Sequence, residues 1–205
     1  RFPNVEVVVQ EGNQRAMTEM LREDQLDLML CNLVNQEGEL EYEHLCWDPV
    51  IFLVQSAHPC CRYARYRDTF YHPWIDLREF EQEIFILQHQ GQSLRQYSDQ
   101  LLEEAGLSPQ RITQIRNIET AAQMAANGLG VSFCLESYFR HMMFIQPPYR
   151  FSVGERQLAA DFSAAYRRGR QLPEYTVQFI HLLKNLMEME VGRMVEMDKS
   201  VNKNL

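Results

Sequence analysis

Two absences narrow the class of this 205-residue chain. No stretch approaches the ~20 consecutive apolar residues that a helix needs to cross a bilayer. The first residues lack the basic flank and the apolar run of a secretory signal. We therefore expect a cytoplasmic protein without a membrane partner, and 45% apolar residues are enough to build a substantial core.

The common signatures of catalysis are also missing. There is no G-x-S-x-G nucleophile turn, no H-E-x-x-H zinc motif and no G-x-x-x-x-G-K-[ST] phosphate loop. The run Gly128-Leu129-Gly130 falls at the end of a predicted helix, which is the reverse of a dinucleotide loop. We therefore expect neither enzyme activity nor a cofactor.

Cysteine is sparse and scattered. Five residues are an odd number, which fits reduced thiols better than a secreted disulfide framework. Cys60 and Cys61 are adjacent, with His58 and His72 nearby, and thiolates with imidazoles suit zinc or copper. No C-x-x-C spacing supports a metal site, so two plain thiols are the preferred interpretation. A redox role for an exposed pair stays open.

The charge balance disfavours contact with nucleic acid. The net charge is −8, so the chain as a whole should be repelled by a phosphate backbone. Residues 60–71 are rich in arginine and tyrosine and could touch nucleic acid by charge and stacking. A solvated loop suits such an acidic chain better.

Strand and helix patterns alternate along the chain. Val5, Val7 and Val9 recur at period two, and a turn at Gly12 leads into an amphipathic helix. Residues 26–31 predict a buried strand, which should pair in parallel with the first strand because the crossover is short.

A second strand–helix–strand unit follows. Residues 84–87 predict a strand, and Ser93 is the expected N-cap of a helix, with Gln96 at capping-box spacing. A strand at 111–116 leads to Asn117, which should cap a helix that ends at Gly128. We also expect a short strand at 144–146 and a long helix from about residue 173. The pattern predicts two similarly built α/β lobes.

Ligands of such sheets collect beyond the carboxyl ends of strands, where turns and helix N-termini expose backbone N–H groups. The candidate ligand-binding residues at these places are Asn13, Gln14, Cys31, Asn32, Gln88, His89, Gln92, Ser93, Arg116 and Asn117.

Each candidate also has a structural interpretation. The amides of Asn13 and Gln14 could bind a carboxylate, or Asn13 could only cap its helix. Ser93 could bind an anion, cap its helix, or do both. Arg116 could clamp a carboxylate bidentately or form a surface ion pair. The residues alone leave the chemistry of the ligand open.

Several short motifs recur in the order of a known family. They are Phe2-Pro3-Asn4-Val5, Glu11-Gly12, Leu26-Asp27-Leu28, His58-Pro59, Asp76-Leu77, Gly106-Leu107, Glu119-Thr120-Ala121 and Gly128-Leu129-Gly130-Val131. Each motif is weak alone. Their shared order and spacing resemble the effector-binding (substrate-binding) domain of LysR-type transcriptional regulators, from residue 1 to about residue 187.

The resemblance implies a fold and a function. It implies an α/β fold of two Rossmann-like subdomains joined by two crossovers, similar to type 2 periplasmic binding proteins. Subdomain I would contain residues 1–72 plus 162–205, and subdomain II residues 73–161. A small-molecule inducer, an organic acid or amino-acid-like compound by family default, would bind in the cleft between them. Relatives often carry a small hydroxyl residue at the position of Gln92, so this pocket should be narrower or differ in polarity.

The resemblance also implies partners. Family members form homodimers or homotetramers, which nominates the helices around residues 16–21 and 93–105 as contact surfaces. Promoter DNA would be bound only through an N-terminal winged helix-turn-helix that this chain does not contain. The alternative is a stand-alone solute-binding protein of a transporter, against which the five cysteines argue.

Overall fold

The computed structural model describes residues 2–201, with side chains described as far as residue 187. In that part of the chain, five α-helices and seven strands follow one another: α1 (Gln14–Arg22), β1 (Met29–Leu33), β2 (Leu40–Val54), β3 (Ile84–Leu87), α2 (Ser93–Glu104), β4 (Arg111–Gln114), α3 (Ile118–Ala126), β5 (Val131–Leu135), α4 (Glu136–Arg140), β6 (Tyr149–Phe151), β7 (Ala159–Arg167) and α5 (Glu174–Val201). None of the helices searched within this part is both long enough and apolar enough to span a bilayer.

The chain divides into two compact units. The first contains Arg1–Trp47 and Asp161–Met197, and the second consists mainly of Asp48–Ala160. Strands β2 and β7 each carry residues of both units, so the backbone passes between the units twice. Two α/β units joined by two crossovers are the predicted architecture. The boundary between the units differs from the one that the family resemblance implies. Residues 48–72 lie in the second unit, whereas the resemblance places them in the first subdomain.

The first unit is a three-stranded sheet with a helix on each side. Its strand order is β1-β7-β2, and β1 runs antiparallel to β7. Leu21 of α1 is fully buried against Met29 and Leu40. Ile180 of α5 packs on Leu45. The two helices therefore pack against two different hydrophobic clusters, one on each side of this sheet.

The predicted strand at residues 5–9 is wrong. This segment has no regular secondary structure, and Val7 and Val9 are 77% and 81% exposed. Its parallel pairing with residues 26–31 is therefore wrong too, and β1 begins only at Met29. Period-two valines identify a segment that suits a sheet, but they do not supply its partner strand. Strand β7, distant in sequence, pairs with β1 instead.

The second unit contains the parallel pairings. Its strand order is β2-β5-β3-β4, with β6 on the other edge of β2, and β3 runs parallel to both β4 and β5. The run Val50–Val54 is buried throughout. Phe52 packs against Phe80 and Phe133, with ring centroids 5.1 Å apart in each pair. Ile51 lies in the cluster formed with helix α3. A continuous apolar run results because both faces of the sheet are covered.

Most elements of the second unit agree with the sequence patterns. Asn117 caps α3, and Gly128 follows that helix with a φ of 75°. The short strand expected at 144–146 is wrong, because Phe144 packs on the α3 cluster and β6 begins only at Tyr149. Two prolines at 147 and 148, which cannot donate to a ladder, precede that strand.

Candidate functional site

Gln88, the residue after β3, has a fully buried side-chain amide. Its exposed fraction is 0%. Neither Oε1 nor Nε2 has a hydrogen-bond partner among the described residues. A buried polar group in this condition costs about 1–3 kcal/mol unless something satisfies it, and such groups are rare in native structures. Gln88 is therefore the candidate with the clearest physical need for a ligand or a bound water.

Arg95 holds the backbone of Gln88 in place. This arginine lies in the first turn of α2 and is only 6% exposed. Its Nη1 donates to the carbonyl of Gln88 at 3.0 Å, and its Nε donates to Asp99 at 2.8 Å. Arg95 is not among the site residues that the sequence predicts. An arginine one helical turn before an aspartate usually indicates a solvated surface pair, and nothing in that spacing signals burial.

The loop before α2 is closed by Gln92. Its Oε1 accepts from the backbone N–H of His89, and its Nε2 donates to the carbonyl of Arg116, both at 3.1 Å. Gln92 is also the N-cap residue of α2, but its side chain forms no cap bond. The prediction that Ser93 is the N-cap is therefore wrong by one residue, and Ser93 is the first helical residue.

Arg116 and Asn117 lie between β4 and α3. Asn117 accepts from the N–H of Thr120 at 2.8 Å, so its side chain serves as a helix cap. Arg116 is exposed, and its guanidinium forms no ion pair within the described residues. Arg116 therefore does not form, with any described residue, the surface ion pair that is one of its two predicted roles. Its bond to Gln92 joins this segment to the loop at residues 88–92.

The four candidates of the first unit lie at two places. Asn13 caps α1 by accepting from the N–H of Ala16 at 2.9 Å, and Gln14 is the first helical residue. Cys31 and Asn32 lie within β1 rather than after it. Burial, with a smaller contribution from the charge of Asp161, raises the pKa of the Cys31 thiol to about 11. The Asn32 Oδ1 atom is buried and has no hydrogen-bond partner among the described residues.

A buried charge network in the second unit was missed as well. Glu136 is 2% exposed, and its oxygens lie 2.9 Å from His72 Nε2, 3.1 Å from Arg140 Nε and 2.7 Å from Arg150 Nη1. Burial alone would raise the pKa of Glu136, but the His72 hydrogen bond and the charges of His72, Arg150 and Arg140 lower it to about 2. The partners are up to 64 residues apart, so no local spacing predicts them.

The first unit holds a smaller polar cluster. His44 Nδ1 lies 2.7 Å from Asp161 Oδ1, which also accepts from the Ser163 hydroxyl at 2.7 Å. The imidazole of His44 packs at 4.8 Å on the ring of Trp47. Because the aspartate holds both the serine and the histidine, the serine hydroxyl is not aligned on a base as in a hydrolase triad.

The Cys60–Cys61 pair does not have the character of a reactive or metal-binding site. Burial raises the pKa of both thiols, that of Cys61 to about 11, whereas reactive cysteines have lowered values. The two sulfurs approach different backbone carbonyls, those of Glu79 and Gln55. Among the described residues, no three His, Cys, Asp or Glu side chains form a group that could hold a metal.

Two of the arginines in residues 60–71 pack on aromatic rings. The guanidinium of Arg67 lies 3.4 Å from the centroid of Trp74, and that of Arg62 lies 4.8 Å from Tyr63. Such contacts fix a guanidinium over an aromatic face. This segment therefore has internal packing that the composition alone did not indicate.

A family model described as the LysR substrate binding domain matches residues 1–188. The chain belongs to this family. LysR effector-binding domains have a periplasmic-binding-protein-like fold, and this chain shares it. The relatives that the chain matches are named as transcriptional regulators and not as enzymes.

Two curated relatives illustrate the similarity. An uncharacterized HTH-type transcriptional regulator of Bacillus subtilis, YybE, is 28% identical over 131 residues, which cover 64% of this chain and 42% of the relative. The HTH-type transcriptional regulator CbbR of Rhodospirillum rubrum is 21% identical over 89% of this chain and 57% of its own. The chain spans less than half the length of the first curated relatives it matches.

Solved LysR domains share the fold. The CcmR regulatory domain of Synechocystis PCC6803, in complex with 2-PG, superposes with a TM-score of 0.74 at 18% identity, over 90% of this chain and 85% of that one. The BenM effector binding domain with its effector benzoate gives a TM-score of 0.74 at 16% identity, over 93% and 82%. At this identity the likeness concerns the fold alone.

Proposed function

We propose that the chain is the ligand-sensing domain of a LysR-type transcriptional regulator and that it binds a small organic acid. The family match and the names of the relatives support the regulatory role. They favour it over a solute-binding protein of a transporter. The observation that carries the proposal for the site is the buried, unpartnered carboxamide of Gln88.

The chemistry around Gln88 fits an acid. A carboxamide offers one acceptor and two donor hydrogens, and the exposed Arg116 offers a fork that matches a carboxylate. The bond from Gln92 to Arg116 brings their two segments together at one edge of the second unit. Asn13 and Asn117 serve as helix caps, and we assign them a supporting role.

Ligand sensing then depends on a thermodynamic link between effector binding and the conformation of the domain. An effector that binds one conformation of the domain more tightly shifts the population toward that conformation. A coupling of roughly 1–3 kcal/mol is usual for such systems. The other properties that we propose are those of the family. The domain would have two effector subdomains and would form a homodimer or homotetramer. The regulator would act in the cytoplasm and would contact promoter DNA through a separate N-terminal domain.

Replacing Gln88 with Leu should separate binding from stability. The unfolding free energy should stay the same or rise by about 1 kcal/mol, because an apolar group of similar size removes an unsatisfied buried amide. Affinity for the effector should fall about tenfold, because a hydrogen bond to a buried amide is lost. A thermal-shift screen of benzoate, shikimate, other small carboxylates and amino acids identifies the ligand, and calorimetry then measures both proteins.

The matched control is Gln96→Leu. Gln96 lies on α2, is exposed and forms no side-chain hydrogen bond within the described residues. This variant should bind like wild type. If Gln88→Leu binds the ligand as tightly as Gln96→Leu, Gln88 is not part of the site. If no acid binds wild type at all, the proposed ligand class is wrong.

A further inference from the structure

Gln92 uses its side chain in an unusual way for a residue that precedes a helix. Such residues normally accept a hydrogen bond from the first amides of their own helix, as Asn13 and Asn117 do. Gln92 instead bonds the N–H of His89 and the carbonyl of Arg116. Its side chain therefore serves the neighbouring backbone and not α2.

The two bonded groups belong to the two candidate segments of the second unit. His89 follows Gln88, and Arg116 precedes Asn117. The segments already meet through the N–H of Ile115, which donates to the carbonyl of Leu87 at 2.9 Å, as expected where the parallel strands β3 and β4 end together. Gln92 extends this connection beyond the sheet, where no further ladder bond is available.

Few side chains could replace it. The bridge needs an acceptor and a donor at the end of one side chain, and a carboxamide provides both on neighbouring atoms without a charge. Gly91, with a φ of 87°, turns the loop immediately before Gln92. A serine has one hydroxyl close to the backbone and cannot span the two groups.

We infer that Gln92 is a positioning residue for the acidic group of the effector. By holding the backbones of His89 and Arg116 together, it fixes the backbone from which the Arg116 side chain extends relative to the backbone next to Gln88. This rests on the proposed function, since it assumes that these two residues bind the ligand. Preorganised groups bind more tightly because less conformational freedom is lost on binding.

Two variants separate the two bonds. Gln92→Met keeps the length of the side chain and removes both bonds. Gln92→Glu keeps the acceptor for His89 but has no donor for the Arg116 carbonyl at neutral pH. Gln96→Met is the control. In the ligand-free protein, amide hydrogen exchange at His89 should be about tenfold faster in Gln92→Met than in wild type, and unchanged in Gln92→Glu and in the control.

Inorganic phosphate is the binding probe, followed by the chemical shifts of the Arg116 and Asn117 amides. Affinity should fall about fivefold in Gln92→Met and in Gln92→Glu, and not in Gln96→Met. Arg116→Ala should weaken phosphate binding in wild type and add little in the Gln92→Met background, because both changes act on one contact.

Equal phosphate affinity in Gln92→Met and Gln96→Met would overturn the inference, as would the lack of a saturable shift at residues 116–117 in wild type. Failure of the proposed function has a different signature, namely no binding of any organic acid to wild type. The two failures are therefore distinguishable.

Discussion

Replacing Gly130 with Ala is expected to destabilise the second unit by about 3 kcal/mol or more, because it combines a steric overlap with backbone strain. Gly130 immediately precedes β5 and has a φ of 150°, a region that is essentially restricted to glycine. A Cβ atom there would overlap with the backbone carbonyl oxygen of Ile84. That oxygen cannot move aside, because Ile84 begins β3, which pairs with β5 on one edge and β4 on the other.

Gly38→Ala is the matched control. A Cβ atom at Gly38 meets no atom within 4 Å, so its cost should be below about 1 kcal/mol. Urea unfolding can be followed at Trp74, which lies in the second unit, after Trp47 of the first unit is replaced with Phe. A cost below about 1 kcal/mol for Gly130→Ala would show that β3 and β5 do not approach as closely as described.

Removing the carboxylate of Glu136 should have the second largest effect. Glu136→Ala removes the carboxylate that contacts the buried His72 and two partly buried arginines. Breaking a buried ion pair by deleting one member costs about 3–5 kcal/mol. We expect the lower end, because Arg140 and Arg150 are 24% and 31% exposed and can gain water. Glu136→Gln, which keeps the size, should lose less.

The pH dependence of stability tests the same network. The pKa of Glu136 is lowered from 4.5 to about 2, so its contribution is present above about pH 4.5 and is lost as the pH falls through about 2. The difference corresponds to roughly 3 kcal/mol. We subtract the unfolding free energy of Glu136→Gln from that of wild type. This difference should become smaller as the pH is lowered from about 4.5 to about 2. A difference that stays constant with pH would contradict the lowered pKa.

Local patterns predicted the second unit better than the first. The strand at residues 84–87, the Asn117 cap and the Gly128 stop depend on chain neighbours, and each is found as expected. The strand at residues 5–9 depends on a partner, and β7 occupies the expected place beside β1. The hydrophobic periodicity of a segment does not show which strand it pairs with when that strand lies more than a hundred residues away.

The candidate site was predicted in part for the same reason. The turns after β3 and β4 identified Gln88 and Arg116, since strand ends can be located from apolar runs and glycines. Whether a polar atom there is satisfied depends on distant groups. The sequence predicted the Asn117 cap, but it could not show that the side chain of Gln88 has no hydrogen-bond partner among the described residues. Nor could it show that Arg95 is buried beneath the loop.

We propose that a small organic acid binds at the segments of Gln88 and Arg116. The most direct measurement is a titration of the ¹⁵N-labelled chain with the acid that gives the largest thermal shift, followed by amide chemical shifts. We expect saturable changes at residues 88–93 and 115–117 in wild type, and about tenfold weaker binding in Gln88→Leu. Saturable changes confined to other residues, or equal affinity in the two proteins, would contradict this proposal.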